Sequence, residues 1–273
     1  MALYLGTSSW SSADWVGRVY PPGTPSNEFI IHYARQFSAV EIDSSFYHTP
    51  SARTVQEWAR KTPETFVFAA KFPQVITHEK VLEDCAPELD EFLKNMSLLG
   101  SRLGPLLLQF PYYSKSSGMS EAEWLGRLER FLPRLPQQGQ FAVEVRNKSW
   151  LKAPLYDLLR KHGVALALID HPWMPRPRAY GEEVEIAPFS YLRWLGDRKG
   201  IEKITTRWNE TIIDRTNDLI EWVFPVRRLL GRGSVYGFFN NHYAGHAPAS
   251  LRLFEKLMAD LPAVDHQGAA VHE

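Results

Sequence analysis

The sequence predicts an α/β protein folded as a single closed parallel (β/α)8 barrel of the TIM type. Eight short apolar runs recur along the chain, and amphipathic segments with helical spacing separate most of them. The chain has 273 residues, which is close to the roughly 250 residues of a typical barrel of this kind. It lacks the G-x-G-x-x-G and G-x-x-x-x-G-K-[ST] turns that are typical of nucleotide-binding open sheets.

The predicted strands are short and almost continuously apolar, which is typical of strands buried on both faces. They are Ala2–Gly6, Ala39–Asp43, Phe66–Lys71, Pro105–Phe110, Gln140–Val145, Val164–Ile169, Phe189–Leu195 and Val235–Asn240. The predicted helices lie between or after these strands and carry apolar residues at helical spacing. They are Ser26–Phe37, a helix that begins at Ser51, Pro87–Leu99, Glu121–Leu132, Pro154–His162, Trp208–Leu230 and Ala249–Leu261.

Two segments depart from this regular alternation. The segment His171–Pro188 is rich in proline and has no helical spacing, so we expect a loop in place of the sixth helix. Pro225 lies inside the long segment Trp208–Leu230, and we expect it to bend or interrupt that helix. The pattern as a whole predicts one domain over residues 1–262 and a disordered tail over residues 263–273.

Charge and cysteine content narrow the class of protein. Lys and Arg together number 31, as do Asp and Glu, which disfavours a protein that coats nucleic acid through bulk charge. Cys85 is the only cysteine, so the chain can form no internal disulfide and no cysteine-based zinc site. The sequence shows no signal-peptide pattern and no apolar run approaching the roughly 20 residues that span a bilayer. We therefore expect a cytoplasmic protein without a membrane partner, and the sequence leaves its oligomeric state open.

Several predicted strands become polar at their last positions. Side chains alternate between the two faces of a strand, so Glu41 and Asp43 share the face opposite Val40. The carboxyl ends of barrel strands meet on one face, where barrel enzymes place their catalytic groups. An unpaired buried charge is costly, so these residues must either pair or bind a ligand. The polar residues expected to meet there are Glu41, Asp43, Lys71, Gln109, Glu144, Arg146, Asp170, Arg193, Asn240, Asn241 and His242.

The chemistry of these side chains suggests a role for each. Carboxylates in a partly desolvated site suit acid–base catalysis, and the candidate catalytic residues are Glu41, Glu144 and Lys71. Arginine grips phosphate or carboxylate through two parallel hydrogen bonds, and aromatic rings stack on a sugar or base. The candidate substrate-binding residues are Arg146, Arg193, Asn240, Asn241, Gln109, Trp10 and Tyr47. The candidate metal ligands are Asp43, Asp170 and His242.

Structural roles remain open for several of these residues. Glu144 and Arg146 are two apart on one face, so an ion pair that closes the barrel mouth is an equal alternative. For Lys71, a structural role is also an equal alternative, since its charge would neutralise the acidic pair on the second strand. Asp170 precedes the proline-rich segment and would equally cap that loop.

Short motifs spread over most of the chain carry a family resemblance. They include Gly6–Trp10, Phe46–Tyr47, Phe72–Pro73, Ile76–His78, Leu108–Pro111, Val143–Arg146, Ser149–Trp150 and Phe239–Asn241. In this order they resemble the YecE-like family, a bacterial and archaeal domain of unknown function (number seventy-two in its series). The resemblance covers about Leu3 to Leu253. It implies a TIM barrel related to the xylose-isomerase-like and endonuclease-type barrels, and it implies no established reaction.

This chain departs from the family pattern at positions near the expected site. The family often has Asn where Asp43 stands, His where Asn147 stands, and Asp where His242 stands. The additional negative charge of Asp43 favours binding of a cation or a proton at that position. The other two changes point to an altered substrate or a weakened site.

Three functions follow from these observations. The first is an enzyme or binder whose mixed-charge pocket takes a small anionic molecule with a phosphate or carboxylate group; as an enzyme it would be a hydrolase, lyase or isomerase. The second is a metal-dependent phosphodiester hydrolase, with a divalent metal as cofactor; no nucleotide-cofactor motif is present. The third is a non-enzymatic module that binds nucleic acid or protein, suggested by two basic segments. These contain Arg127, Arg130 and Arg134, and then Arg227, Arg228 and Arg232.

Overall fold

A computed structural model describes residues 1–262 and places eight parallel strands in one closed barrel. The strands pair in chain order, and β1 pairs with β8 to close the barrel. They are β1 (Leu3–Ser8), β2 (Ala39–Ile42), β3 (Val67–Lys71), β4 (Leu103–Gln109), β5 (Phe141–Glu144), β6 (Ala165–Asp170), β7 (Phe189–Trp194) and β8 (Ser234–Phe239). The predicted fold class is confirmed. The tail predicted over 263–273 lies outside the described residues.

The helices surround the barrel. They are α1 (Phe29–Ala34), α2 (Ala52–Lys61), α3 (Ala86–Met96), α4 (Glu121–Phe131), α5 (Ala153–Lys161), α6 (Arg198–Ile201), α7 (Thr216–Leu230), α8 (Asn241–Ala244) and α9 (Ala247–Asp260). A π-helical turn, Val75–Glu79, follows β3. Ser51, the predicted start of a helix, caps α2, because its hydroxyl accepts a hydrogen bond from the Thr54 N–H. Over residues 1–262, no helix is long and apolar enough to cross a membrane.

The connection from β6 to β7 contains no α-helix, as the proline content predicts. Its only helical elements are two 3-10 turns, Pro177–Ala179 and Glu182–Val184. The guanidinium of Arg228 on α7 donates to the Tyr180 carbonyl at 2.9 Å. A long irregular loop therefore takes the place of a helix between β6 and β7 and is held in place from the last turn of α7.

The helix predicted from Trp208 begins only at Thr216. The residues before it are held by other parts of the chain: the Trp208 N–H donates to Asp14, and the Ile212 N–H donates to the Ala244 carbonyl. Helix α7 then continues through Pro225 without ending there. Its buried face, which includes Trp222, packs against the core, and this packing outweighs the backbone hydrogen bond that proline removes.

The barrel interior is filled by side chains rather than open. Small residues of β2 to β6 face large aromatic residues of β7 and β8, so the two halves complement each other in volume. The buried interior residues are Ala39, Ala69, Leu107, Ala142, Ala165, Ala167, Phe189, Tyr191, Tyr236 and Phe238. A larger apolar layer lies between the strands and the helices. Continuing the alternation along β2, β5 and β7 places Glu41, Glu144 and Arg193 above the interior apolar layer, at the carboxyl ends.

Candidate functional site

A buried ion cluster closes the interior of the barrel at its carboxyl end. Arg193 is 2% exposed and donates to Glu41 Oε1 at 2.8 Å and to Glu144 Oε2 at 2.7 Å. The Tyr191 hydroxyl donates to Glu41 Oε2 at 2.7 Å, and the Ser8 hydroxyl donates to Glu41 Oε1 at 2.8 Å. Both carboxylates are fully buried. They are paired and hydrogen-bonded, which is the condition under which buried charges are tolerated.

The arginines keep Glu144 ionised. Burial alone would raise the pKa of this carboxyl, but the Arg146 and Arg193 guanidinium groups outweigh it and lower the pKa from 4.5 to about 2. The same carboxylates hold the pKa of Arg193 well above its ordinary value, against the effect of burial. Glu144 and Arg193 therefore both stay charged near neutral pH.

A second ion pair lies beside this cluster. The Lys71 ammonium donates to Asp43 and lies over the Phe46 ring, 5.5 Å from the ring centroid. Burial would raise the pKa of Asp43, but the adjacent Lys71 outweighs it and holds that pKa below its ordinary value. Asp43, which differs from the residue that the family often has, is therefore paired with Lys71 in this chain.

Above the buried cluster lies a cavity of about 260 Å³. Every element that lines it does so at or just beyond the carboxyl end of a strand, as expected for a barrel enzyme. The lining residues are Asp43, Phe46, Tyr47, Lys71, Gln109, Arg146, His171, Arg193, Leu195, Gly196, Arg198, Asn240 and His242. Glu41 and Glu144 do not line the cavity; they lie against Arg193, which does.

Arg146 is a partly buried cation of this cavity that has unused donors. Its Nε donates to Glu144 Oε1 at 2.6 Å. Within residues 1–262, its two terminal nitrogens have no hydrogen-bond or ion-pair partner. The next residue, Asn147, exchanges two hydrogen bonds with the Tyr113 backbone at 2.8 and 2.9 Å. Arg146 is thus held at its base and is open to a ligand at its tip.

Three histidines near the cavity remain neutral at pH 7. Burial, together with Lys71 and Arg146, lowers the pKa of His78 to about 4. Burial and Arg146 lower the pKa of His171, and burial and Arg198 lower that of His242. Cationic neighbours thus act on all three histidines in the same direction as burial, and nearby carboxylates oppose them.

Gly196 brings the end of β7 close to α8. It has a φ of +67°, and an added Cβ would lie 2.6 Å from both the His242 carbonyl oxygen and the Tyr243 Cα. We expect Gly196→Ala to lower the free energy of unfolding by about 1–3 kcal/mol and to displace His242. Urea unfolding measures this loss.

Gly118→Ala is the matched control for that substitution. Gly118 has a φ of +75°, but an added Cβ would meet nothing within 4 Å. It therefore reports the cost of the backbone conformation without the clash. Equal losses of unfolding free energy in the two variants would contradict the close approach of Gly196 to the backbone of His242 and Tyr243.

Three residues predicted to join the site lie elsewhere. Trp10 packs edge-on against Trp58, with ring centroids 5.4 Å apart, rather than lining the cavity. Asn241 accepts the Ala247 N–H at 3.0 Å and so fixes the start of α9. Asp170 points to the outside of β6, where it accepts from Trp222 at 2.8 Å and from the Tyr243 hydroxyl at 3.1 Å.

The metal-ligand prediction for Asp170 is therefore corrected. Ala165, Ala167 and Ile169 occupy the inner face of β6, and alternation turns Asp170 outward. Asp43 and His242 do line the cavity. No group of three or more His, Cys, Asp or Glu side chains in the described part of the chain is arranged to hold a metal ion.

The other predicted binding residues do line the cavity, with some of their polar atoms engaged. Asn240 uses its side-chain oxygen to accept the His242 N–H, and Gln109 donates to the Phe110 carbonyl at 2.9 Å. Tyr47 is 64% exposed at the rim.

Sequence reasoning did not select His171 or Arg198 for this site, nor Glu202 beside it. His242 Nε2 lies 3.2 Å from Glu202 Oε1, and Arg198 Nε donates to the same oxygen at 2.8 Å. His171 directly follows β6, so the rule applied to the other strand ends would have found it. Arg198 and Glu202 belong to a short helix, α6, that gave no periodic signal in the sequence.

The basic segments that suggested nucleic-acid binding are paired within the protein. Arg127 bridges Glu123 and Glu83. Arg228 pairs with Glu185, and the remaining segment arginines are bound or stacked in a similar way; these are Arg130, Arg134, Arg227 and Arg232. Four of the six arginines thus pair with carboxylates, whereas Arg134 stacks on Phe131 and Arg227 donates to backbone carbonyls.

Comparison with known families identifies the group to which this chain belongs. A family model described as "Protein of unknown function DUF72" matches residues 4–270. The chain belongs to the DUF72 family. The resemblance drawn from the sequence motifs is thereby confirmed.

Two bacterial relatives support this assignment. The UPF0759 protein YecE of Escherichia coli strain K12 is 32% identical over 190 residues, which cover 68% of this chain and 65% of YecE. The match thus spans slightly less than two thirds of YecE. The UPF0759 protein YunF of Bacillus subtilis strain 168 is 30% identical over 293 residues, covering 98% of this chain and 97% of YunF.

Solved structures confirm the fold of this DUF72 chain. A DUF72 family protein from Thermotoga maritima superposes with a TM-score of 0.74 at 28% identity, covering 95% of this chain and all of the other. A D-psicose 3-epimerase superposes with a TM-score of 0.55 at 12% identity, covering 86% and 84% of the two chains. At that identity, the likeness to the epimerase shows the barrel fold alone.

Proposed function

We propose that the cavity at the carboxyl end of the barrel binds a small anionic molecule through a phosphate or carboxylate group. The observation that carries this proposal is Arg146, whose terminal nitrogens have no partner within the described residues although the side chain lines the cavity. A guanidinium with two open nitrogens matches the two oxygens of a phosphate or carboxylate.

The charges around Arg146 support an anion rather than a cation. Lys71, Arg193 and Arg198 line the same cavity, whereas Asp43 is the only carboxylate among its lining residues and is paired with Lys71. The neutral histidines add donors without adding charge. His171 Nδ1 accepts the Trp173 N–H at 3.3 Å, so its Nε2 carries the proton and is available as a donor.

In this proposal, Glu41 and Glu144 position Arg193 and Arg146 instead of transferring protons. A carboxylate with a pKa of about 2 is a weak base at neutral pH. Any acid–base step would fall to His171 or His242, which line the cavity and are neutral at pH 7. The metal-dependent alternative has no preformed ligand group within residues 1–262.

Binding of inorganic phosphate tests this proposal. We expect calorimetric titration to detect phosphate binding by the wild-type protein. Arg146→Gln should weaken it by about 10- to 100-fold, because charge-assisted hydrogen bonds are lost. Arg146→Lys should retain part of the affinity, because a lysine keeps the charge but not the paired geometry.

Arg160→Gln on α5 is the matched control. Arg160 is half exposed and pairs with Asp157 in its own helix, away from the cavity. This variant should bind phosphate like the wild type. The proposal is overturned if the wild type binds neither phosphate nor acetate, or if Arg146→Gln binds phosphate unchanged.

A further inference from the structure

A second cavity of about 250 Å³ adjoins the first. Gln109, Arg146 and His171 line both cavities, so the two meet at the Arg146 guanidinium. Each cavity alone is smaller than the roughly 300 Å³ at which ordinary small-molecule sites begin. A ligand of ordinary size that is held at Arg146 therefore extends into both.

The second cavity has an aromatic wall that is open to solvent. It is lined by Tyr112, which is 63% exposed, and by Trp173, which is 72% exposed. All nine tryptophans lie within residues 1–262, and Trp173 is the only one of them that is exposed. Large aromatic side chains left in water at a cavity mouth are typical of binding surfaces.

The exposure of Trp173 follows from a fixed turn. The Met174 N–H donates to the His171 carbonyl at 3.0 Å, and the Trp173 N–H donates to His171 Nδ1 at 3.3 Å. Met174 is buried against Ile169 and Leu195. Met174 anchors this turn in the core, which leaves the indole at the mouth of the cavity. Its ring centroid lies 5.3 Å from that of His171.

We propose that the two cavities together bind a phosphate monoester that carries a planar nitrogenous ring, as nucleoside 5′-monophosphates do. The phosphate lies at Arg146, and the ring lies against Trp173 and Tyr112. This inference rests on the proposed function, since it takes the anion site from it. Gln109 lies in the shared wall, and its amide oxygen has no hydrogen-bond partner in the described part of the chain. A side-chain amide is suited to the hydrogen-bonding edge of a base.

Calorimetric titration with four probes tests this inference: inorganic phosphate, ribose 5-phosphate, phenyl phosphate and AMP. Stacking of one base on an aromatic side chain should make AMP bind about 5- to 150-fold more tightly than ribose 5-phosphate. Trp173→Ala should move AMP affinity most of the way toward that of ribose 5-phosphate and leave ribose 5-phosphate binding unaffected. Phenyl phosphate should fall between them, because it stacks but has no hydrogen-bonding edge.

Leu98→Ala is the control for loss of an exposed apolar side chain. Leu98 is 38% exposed and lies just before β4, at the opposite end of the barrel. It should leave the affinity for all four probes unchanged. A 5′-phosphorylated dinucleotide, as a fifth probe, distinguishes a free nucleotide from the 5′ end of a nucleic-acid strand. Tighter binding of either AMP or the dinucleotide than of ribose 5-phosphate supports the inference. Which of the two binds more tightly identifies the source of the ligand.

The outcomes separate this inference from the proposed function. If phosphate and ribose 5-phosphate bind but neither AMP nor the dinucleotide binds more tightly, the ring site is wrong and the anion site stands. Unchanged AMP affinity in Trp173→Ala also overturns the ring site. If none of the four probes binds, this inference fails, and if acetate does not bind either, the proposed function fails as well.

Discussion

Replacing Arg193 with methionine is expected to lower the free energy of unfolding by about 3–5 kcal/mol at pH 7. The substitution removes the guanidinium that Glu41 and Glu144 share, and it leaves two carboxylates fully buried in the barrel. Tyr191 and Arg146 each still donate to one of them, so the carboxylates keep hydrogen bonds but lose their central charge. Urea unfolding followed by circular dichroism measures the loss by linear extrapolation.

Arg198→Met is the matched control for the Arg193 variant. Arg198 also lines the cavity, but its side chain is 70% exposed and pairs with Glu202 at the surface. Exposed pairs contribute about 0–1 kcal/mol, so this variant should unfold much like the wild type. Adding Glu41→Gln to Arg193→Met should recover part of the loss, because it removes one of the unpaired charges. A loss below about 1 kcal/mol in Arg193→Met would contradict the buried cluster.

Glu144 is expected to make the stability of the protein fall between pH 4.5 and about 2. The pKa of this carboxyl is about 2 in the folded protein, against an ordinary value of 4.5. A group whose folded pKa is lowered stabilises the protein above its unfolded pKa, and the contribution is lost as pH falls through the folded pKa. At 1.36 kcal/mol per pKa unit, the difference corresponds to about 3 kcal/mol.

Glu144→Gln tests that prediction through its pH profile. The variant should be less stable than the wild type at pH 7, and the two stability curves should converge as pH falls toward 2. Glu91→Gln on α3 removes a carboxylate at an exposed position, and it should keep the wild-type slope. Parallel stability curves for the wild type and Glu144→Gln would show that the pKa of Glu144 is the same in the folded and unfolded protein, contrary to the prediction.

The sequence by itself determined the barrel and most of the surface on which the site lies. Eight apolar runs set the strand count, and the alternation in β2, β5 and β7 placed Glu41, Glu144 and Arg193 on the inner face. In these strands one face is polar near the end, so the local pattern shows which side of the strand each charge occupies.

The same reasoning failed for β6, for a physical reason. Both faces of Ala165–Ile169 are apolar, because a strand between the barrel interior and the helices is buried on each side. Nothing local therefore shows which face points inward, and Asp170 was placed with the cavity when it contacts Trp222. Only the assembled barrel fixes the orientation of such a strand.

Only the tertiary structure showed which charged side chains pair with each other and which keep hydrogen-bond donors free for a ligand. Arg193 contacts Glu41 and Glu144 across 152 and 49 residues of sequence. These contacts engage both carboxylates that the sequence had suggested for catalysis. The two terminal nitrogens of Arg146 have no partner among residues 1–262, because Glu144 accepts only from its Nε. Ion pairing depends on distances between strand ends that are remote in sequence, so the residue types were readable from the sequence but their partners were not.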